Sequence, residues 1–233
     1  AYGDLEWARQ EEGFDVTYDK RLSDRLRAQA ARPVREHLTA APAFLDRSLH
    51  FLENHDEPRA AAAFPPDVHR AAAVISFLAP GLRLFHEGEL EGRRAHAAIH
   101  LARRAAEEPD AALQVFYERL LACLRRPEAH DGAWHLAACR AAWAGNLTWD
   151  HFIVFTWEGT GGKLLVAVNY GPTRGQCYAE IGLRGLGDRA LVLTDLMGET
   201  RYERDGRTLA REGLYLDLPP WGFNVFEVKP RGS

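Results

Sequence analysis

Asn54-His55-Asp56 is the densest run of chemically capable side chains in this 233-residue sequence. A carboxylate accepts hydrogen bonds from hydroxyls, an imidazole carries or takes a proton near neutral pH, and a carboxamide offers a donor beside an acceptor. The run ends an apolar stretch, Ser48-Leu49-His50-Phe51-Leu52, and is followed by Arg59. A second polar run, His86-Glu87-Gly88-Glu89, ends another apolar stretch, Leu82-Arg83-Leu84-Phe85. Polar residues gathered where short apolar strands stop are how barrel enzymes bring groups from separate strands to one rim, so His86, Glu87 and Glu89 could line the same cleft. The bland alternative is local: Asn and Asp favour turns through side-chain to backbone bonds, and a solvated loop would account for the second run.

Other candidates weigh less. His96 and His100 stand four apart, but Ala97-Ala98-Ile99 between them supplies no glutamate, so the zinc-protease pattern fails and a helix surface is expected. No metal site and no cofactor are evident. Gly159 to Gly162 and Gly185-Leu186-Gly187 lie between strand-like runs and read as hairpin turns rather than phosphate loops. Asn146-Leu147-Thr148 is a glycosylation acceptor in form alone. Trp143, Trp149, Trp157 and Trp221 could stack on sugars, but burial is the expected use.

The elements that would position these groups follow from periodicity. Leu5–Glu12 reads as a short helix and residues 13–18 as a compact strand. Leu22 and Leu26, four apart among charges, mark an amphipathic helix over 21–31. A further helical piece is expected between Pro33 and Pro42, and then the strand 48–52. Pro65-Pro66-Asp67 opens a helix whose buried stripe is Val68, Ala71, Ala72, Ile75 and Leu78. Pro80-Gly81 breaks that helix ahead of the strand 82–85. Helices are expected over 96–106 and 111–124. After Asn146 strands take over, at 152–157, 164–170, 178–183, 191–196 and 214–228, with turn residues such as Gly171-Pro172 and Asp205-Gly206 between them. Strand and helix alternation argues a parallel sheet for residues 1–146, and the later run of strands argues an antiparallel β-sandwich over 147–233.

Composition narrows the function. A formal charge of −4 gives no concentrated basic surface, which argues against nucleic acid. No apolar run approaches the roughly 20 residues of a membrane span, and no basic-then-apolar leader opens the chain, so no membrane partner is expected and the cytoplasm is the expected location. Cys123, Cys139 and Cys177 are too few and too scattered for a disulfide framework, and reduced thiols are expected. The chain opens at Ala1-Tyr2-Gly3-Asp4 and its one methionine is Met197, which suggests that a segment upstream is missing.

Phe51-Leu52-Glu53-Asn54-His55-Asp56-Glu57-Pro58-Arg59 resembles the last catalytic block of glycoside hydrolase family 13, the α-amylase family, and Pro80 to Gly88 resembles that family's eighth barrel strand. A terminal all-β domain fits the same family, as does the opening Glu6-Trp7, Gly13-Phe14-Asp15 and Tyr18-Asp19-Lys20. The resemblance implies the C-terminal part of a (β/α)8 barrel, about strands six to eight, followed by an antiparallel sandwich. It implies a parent enzyme that cleaves or rearranges α-glucans or α-glucosides with retention, using a nucleophile and an acid roughly 5–5.5 Å apart. Asp56 matches the aspartate that stabilises the transition state, and His55 matches the imidazole on the same sugar. Asn54, Arg59, His86 and Glu87 are expected to join them in binding substrate. The nucleophile has no counterpart here, and Glu6 falls just beyond the position of the acid, so this chain alone is expected to be inactive. It is also expected to need the missing half of the barrel or to self-associate, because a half-barrel leaves an edge uncovered. The alternatives are a carbohydrate-binding protein that has lost the chemistry and an assembly protein on the same scaffold.

Overall fold

The computed structural model describes residues 4–97, 100, 103–160, 162–182, 185 and 187–232. The chain divides into two compact units, Ala1–Glu118 and Arg119–Ser233.

In the first unit, β1 (Thr17–Tyr18), β2 (Ser48–His50) and β3 (Leu82–Arg83) form a parallel sheet in that order. α1 (Asp4–Glu11) precedes β1; α2 (Lys20–Arg27), α3 (Ala31–His37) and α4 (Pro42–Leu45) lie between β1 and β2; α5 (Ala60–Ala63) and α6 (Pro66–Leu78) lie between β2 and β3. The register aligns Tyr18, Leu49 and Leu82, which therefore share one face of the sheet. α2 buries Leu22 and Leu26 as its spacing requires, and Asp19 caps it by accepting the Leu22 N–H at 3.0 Å. α6 is buried without a break from Ala71 to Leu78, as befits a helix packed on all sides. Gly81 (φ +110°) must be glycine: a Cβ there would stand 2.4 Å from the Ser48 carbonyl oxygen and 2.5 Å from that of Leu45.

α7 (Ala111–Leu124) follows with the bounds its leucine spacing predicts, and the second unit begins within it. After α8 (Glu128–Asp131), the strands β4 (Ala133–Leu136), β5 (Cys139–Ala141), β6 (Phe152–Gly159), β7 (Gly162–Asn169), β8 (Gly175–Ala179), β9 (Ala190–Asp195), β10 (Arg201–Asp205), β11 (Leu214–Leu218) and β12 (Phe223–Pro230) build two sheets, with α9 (Gly206–Glu212) inserted before β11. All pairings are antiparallel, in the orders β10-β9-β12-β7-β6-β4 and β11-β8-β5. Between the sheets lie Phe152, Val154, Leu165, Ala167, Cys177, Leu193, Leu216 and Phe226. Strict alternation along β11, from buried Leu214 through exposed Tyr215 to buried Leu216, shows one face in solvent.

The expected α/β followed by all-β architecture is therefore present, with local corrections. Strands begin at Ala133, ahead of the expected boundary at 146/147, because β4 and β5 pair with β6 and β8. The described residues of 96–106 are not helical, and the remaining residues of that stretch lie outside the description. The strand expected over 178–183 is β8, shifted toward the N-terminus; Leu183 lies outside the described residues. Asp205-Gly206 starts a helix rather than making only a turn, since Asp205 caps α9 by accepting the Thr208 N–H at 2.9 Å. Gly159 and Gly162 pair across the β6–β7 hairpin; Gly161 and Leu186 of the glycine-rich turns lie outside the described residues. Trp157 is buried, but Trp143 is 53% exposed, against expectation. The three thiols are free, Cys123 and Cys177 buried and Cys139 half-buried. No helix among the described residues is long and apolar enough to cross a membrane.

Candidate functional site

Residues 51–59 leave the C-terminal end of β2 as a loop that the first unit pins at nearly every residue. Asn54 folds the turn from inside: its Oδ1 accepts the N–H groups of Asp56 (2.8 Å) and Glu57 (3.1 Å). Glu57 faces α2, where Arg27 Nη1 (2.5 Å) and Lys20 Nζ (3.1 Å) contact its carboxylate. Burial alone would raise the Glu57 carboxyl, but the hydrogen bonds from Arg27 and Lys20 win and hold it below its ordinary value. Arg27 also donates to the Leu52 carbonyl at 3.2 Å. His96 reaches the loop from the far side, its Nε2 3.1 Å from the His55 carbonyl oxygen.

The floor of the loop is an ion pair. Glu53, wholly buried, accepts Arg59 Nη1 at 2.5 Å on Oε1 and the Ala60 N–H at 2.6 Å on Oε2. Its Oε1 also lies 3.0 Å from His86 Nδ1, and Arg59 Nη1 donates to the Glu87 carbonyl at 2.7 Å. Glu53 thus ties the end of β2 to the loop that follows β3. Beneath His86, Glu89 accepts the His86 N–H and the Tyr117 hydroxyl, each at 3.1 Å, and Tyr117 OH lies 2.9 Å from His69 Nε2. Burial, then the proximity of Glu53, pushes the Glu89 carboxyl well above its ordinary value. Burial pushes the His69 imidazole down to about 4, so the ring is neutral.

The polar residues that the loop leaves exposed are His55 and Asp56, with Pro58 beside them. The side chains of His55 and Asp56 are 52% and 78% exposed and touch at 3.3 Å between Nε2 and Oδ2. Of the six residues expected from sequence, these two are the ones presented from this loop. Asn54 is buried and committed to its turn. Arg59, expected on the substrate, is 5% exposed and committed to Glu53. His86 keeps partial exposure, and Glu87 is exposed and ion-paired with Arg104. That bond first, against little burial, lowers the Glu87 carboxyl. Glu53 was not singled out by sequence as a site residue, and His96 was weighed only as half of a zinc pair; a charge directly after the apolar Phe51-Leu52 was the available signal for Glu53.

A second buried group lies behind the sheet. Asp19 Oδ2 accepts His37 Nε2 at 2.7 Å and lies 3.3 Å from His50 Nδ1, while Arg25 Nη1 lies 2.7 Å from His37 Nδ1. A guanidinium only donates, so Nδ1 accepts and the His37 Nε2–H points at Asp19. Burial would raise Asp19, but its contacts with His37 and His50 hold it well below its ordinary value. Glu6, on α1, is buried, and burial, then the charge of Asp19, pushes it up to about 7. Among the described residues no group of three or more His, Cys, Asp or Glu side chains is placed to hold a metal ion. An open cavity of about 1200 Å3 belongs to the second unit, where His135, Thr156, Glu158 and Glu180 line it, and none of the expected site residues does.

No family model matches the sequence. No curated protein matches it either. The fold, in contrast, matches many solved structures. An α-amylase from Geobacillus thermoleovorans, complexed with acarbose, superposes with a TM-score of 0.73 at 16% identity over 99% of this chain and 52% of that one. An Anoxybacillus α-amylase gives 0.71 at 16% identity over 100% and 52%. A debranching enzyme from Nostoc punctiforme gives 0.65 at 15% identity over 97% and 49%. The chain thus has an α-amylase-like fold and spans about half the length of these solved chains.

Proposed function

We propose that the first unit is the C-terminal part of a (β/α)8 barrel, about strands six to eight, and that the antiparallel sheets from β4 onward are its sandwich domain. The parent would be a glycoside hydrolase or transglycosylase of the α-amylase family acting on α-glucans or α-glucosides. The observation that carries this reading is the loop after β2. Nearly every polar group around it is committed to holding the backbone, and only His55 and Asp56 are presented, together, beyond the C-terminal end of a parallel strand. In that role Asp56 would hydrogen-bond hydroxyls of the distorted sugar, with a gain largest at the transition state, and His55 would hold the same ring. The nucleophile and the general acid would come from strands outside this chain.

The shared face of the three-stranded sheet supports the incomplete barrel, for Tyr18 and Leu82 are each 45% exposed on it. β1 and β3 also keep free edges within that sheet. The purified chain should release no sugar from maltooligosaccharides, and it should self-associate in sedimentation. Extending it N-terminally to a full barrel should give hydrolysis or transfer that Asp56→Asn abolishes. Turnover by the chain alone, or full activity in the extended Asp56→Asn protein, would refute the assignment.

A further inference from the structure

We infer that the second unit carries a binding site for a neutral, polyhydroxylated ligand, an oligosaccharide, in the open cavity at one end of its sandwich. The chemistry of that ligand is read from the lining of the cavity and does not rest on the α-glucan reading above.

The inner faces of the large sheet change character along their length. On β6 the positions facing the opposite sheet are Phe152, Val154, Thr156 and Glu158, and on β7 they are Ala167, Leu165 and Lys163. β4 adds His135 opposite Thr156 and Ala133 opposite Glu158. The apolar half of this face packs on Cys177, Ala179 and Leu216 of the smaller sheet. The polar half, with Ala133, His135, Thr156 and Glu158, instead lines the cavity of about 1200 Å3, with Leu209 of α9 as part of the facing wall. Thr156 is 3% exposed, and polar groups at such inward positions are costly unless water or a ligand meets them.

The cavity opens where the chain changes sheets. Ala137 donates to the Val154 carbonyl of β6 at 2.8 Å, while the carbonyl of the next residue, Ala138, accepts the Glu180 N–H at 2.8 Å. β4 is the edge of the large sheet. Its residues 133, 135 and 137 exchange hydrogen bonds with β6, so the N–H and C=O groups of Trp134 and Leu136 point away from β6, along the cavity. Among the described residues the side chains of His135, Thr156 and Glu180 have no hydrogen-bond partner.

The charges of the lining are largely answered. Lys163 pairs with Glu158 and Arg211 with Glu212, while Arg140 lies over the Tyr178 ring and donates to the Glu212 carbonyl at 2.6 Å. An anion would face Glu158, Glu180 and Glu212, and a metal ion finds no set of three ligands among the described residues. What remains is a mixture of donors and acceptors. A hydroxyl both donates and accepts, so a molecule built of hydroxyls answers that mixture without bringing charge. The volume lies above the roughly 300–1,000 Å3 of sites for drug-sized molecules, which leaves room for more than one sugar ring. An added peptide strand would use the edge of β4, but in the plane of the sheet it would not reach Thr156, one strand further in.

Hydrogen–deuterium exchange of the full chain, resolved to single residues, tests this with maltoheptaose or cellohexaose in excess. The amides of Trp134 and Leu136, fast at a free edge, should slow with at least one of the two sugars. Thr156→Val, which removes the hydroxyl and keeps the shape, should raise the sugar concentration needed about fivefold, and Glu180→Gln should raise it as well. Should Thr156→Val fail to fold, Glu180→Gln, at an exposed position, decides. No slowing with either sugar overturns the site. Slowing that both variants leave unchanged assigns the strand edge alone and also overturns it, and slowing by inorganic phosphate in place of sugar overturns the ligand class. Slowing confined to the loop after β2 overturns this site and supports the α-glucan reading, whereas slowing at Trp134 and Leu136 alone supports this site without bearing on that loop.

Discussion

The first unit buries Glu6, Asp19, His50, Glu53, His69 and Glu89 at 2% exposure or less, while the layer between the sheets of the second is filled by Phe152, Val154, Leu165, Leu193, Leu216 and Phe226. Both interiors are shielded from solvent, but they are held differently. Apolar packing is non-directional and tolerates any side chain of suitable volume. A buried carboxylate is stable only when donors meet it at fixed positions, so it dictates geometry as well as contributing energy. The first unit uses that stricter device where a loop must hold His55 and Asp56 in one place. The second also buries Glu128 beside Arg126 and Asn169 on three backbone carbonyls, but the layer between its sheets uses the more forgiving device.

Conservative substitutions separate the two devices with the largest effects. Glu53→Gln keeps volume but removes the charge that answers Arg59, and Glu53→Ala leaves that guanidinium buried and unpaired. About 3–5 kcal/mol should be lost in the alanine variant, with most of that loss already present in the glutamine variant. In the sandwich, Phe226→Ala should cost about 3–5 kcal/mol, but Phe226→Leu, which keeps more of the volume, distinctly less. Urea unfolding of the four variants measures this. If Glu53→Gln is as mild as Phe226→Leu, the contrast between the units fails.

Protonation should distinguish the units next. Glu6 rises from 4.5 to about 7 in the folded chain. Between those pH values the unfolded chain releases this proton and the folded chain keeps it, so stability falls as pH rises through the window. Glu89, also raised, adds a loss of the same sign above the ordinary carboxyl range. His69 acts from the other side. Its folded value is about 4 against 6.5, so the folded chain resists a proton that the unfolded chain accepts, and stability falls as pH drops from 6.5 toward 4. Glu6→Gln should therefore gain about 1–2 kcal/mol at alkaline pH and nothing at acid pH. Trp7 is the one tryptophan among residues 1–118 and reports on this unit, and hydrogen exchange in the sandwich should stay flat across the same range after correction for intrinsic rates. A gain from Glu6→Gln that is independent of pH would show that the carboxylate is not what the interior resists.

The two devices also differ in how far sequence reveals them. Leu22 and Leu26, the Val68 to Leu78 helix, the leucines of α7 and the alternation of β11 are periodic, and periodicity reports which face is buried. β10 was missed because Arg201-Tyr202-Glu203-Arg204-Asp205 lies on the rim of its sheet, with little to bury, and α9 because seven residues give less than two full helical repeats. At the site, the clustering of Asn54, His55 and Asp56 marked the place, but not the division of labour inside it. Nothing in the local sequence says that Asn54 turns inward or that Arg59 answers Glu53 six residues earlier. Those roles depend on Ala60 at the start of α5 and on His86 and Glu87, which the parallel pairing of β2 and β3 brings near.

The smallest expected effect tests whether charge pairing as such, or its burial, makes the first unit strict. On the solvent face of the β11-β8-β5 sheet of the second unit, Arg174 grips Asp217 with Nε at 2.8 Å and Nη2 at 3.1 Å, and Gln176 Nε2 joins at 3.1 Å. The geometry is as good as that of Arg59 on Glu53, and the bond from Arg174 lowers the Asp217 carboxyl. Yet the side chains are 63% and 34% exposed, so water solvates each partner when the other is removed. Asp217→Asn should cost less than about 1 kcal/mol, and molar salt should shrink even that. The loss in Glu53→Gln should persist in the same salt, because counterions cannot reach a pair from which water is already excluded. If salt weakens both pairs alike, the Glu53 site is wetter than its exposure indicates, and the rigidity ascribed to the loop above it must come from the Asn54 turn and the contacts of Glu57 instead.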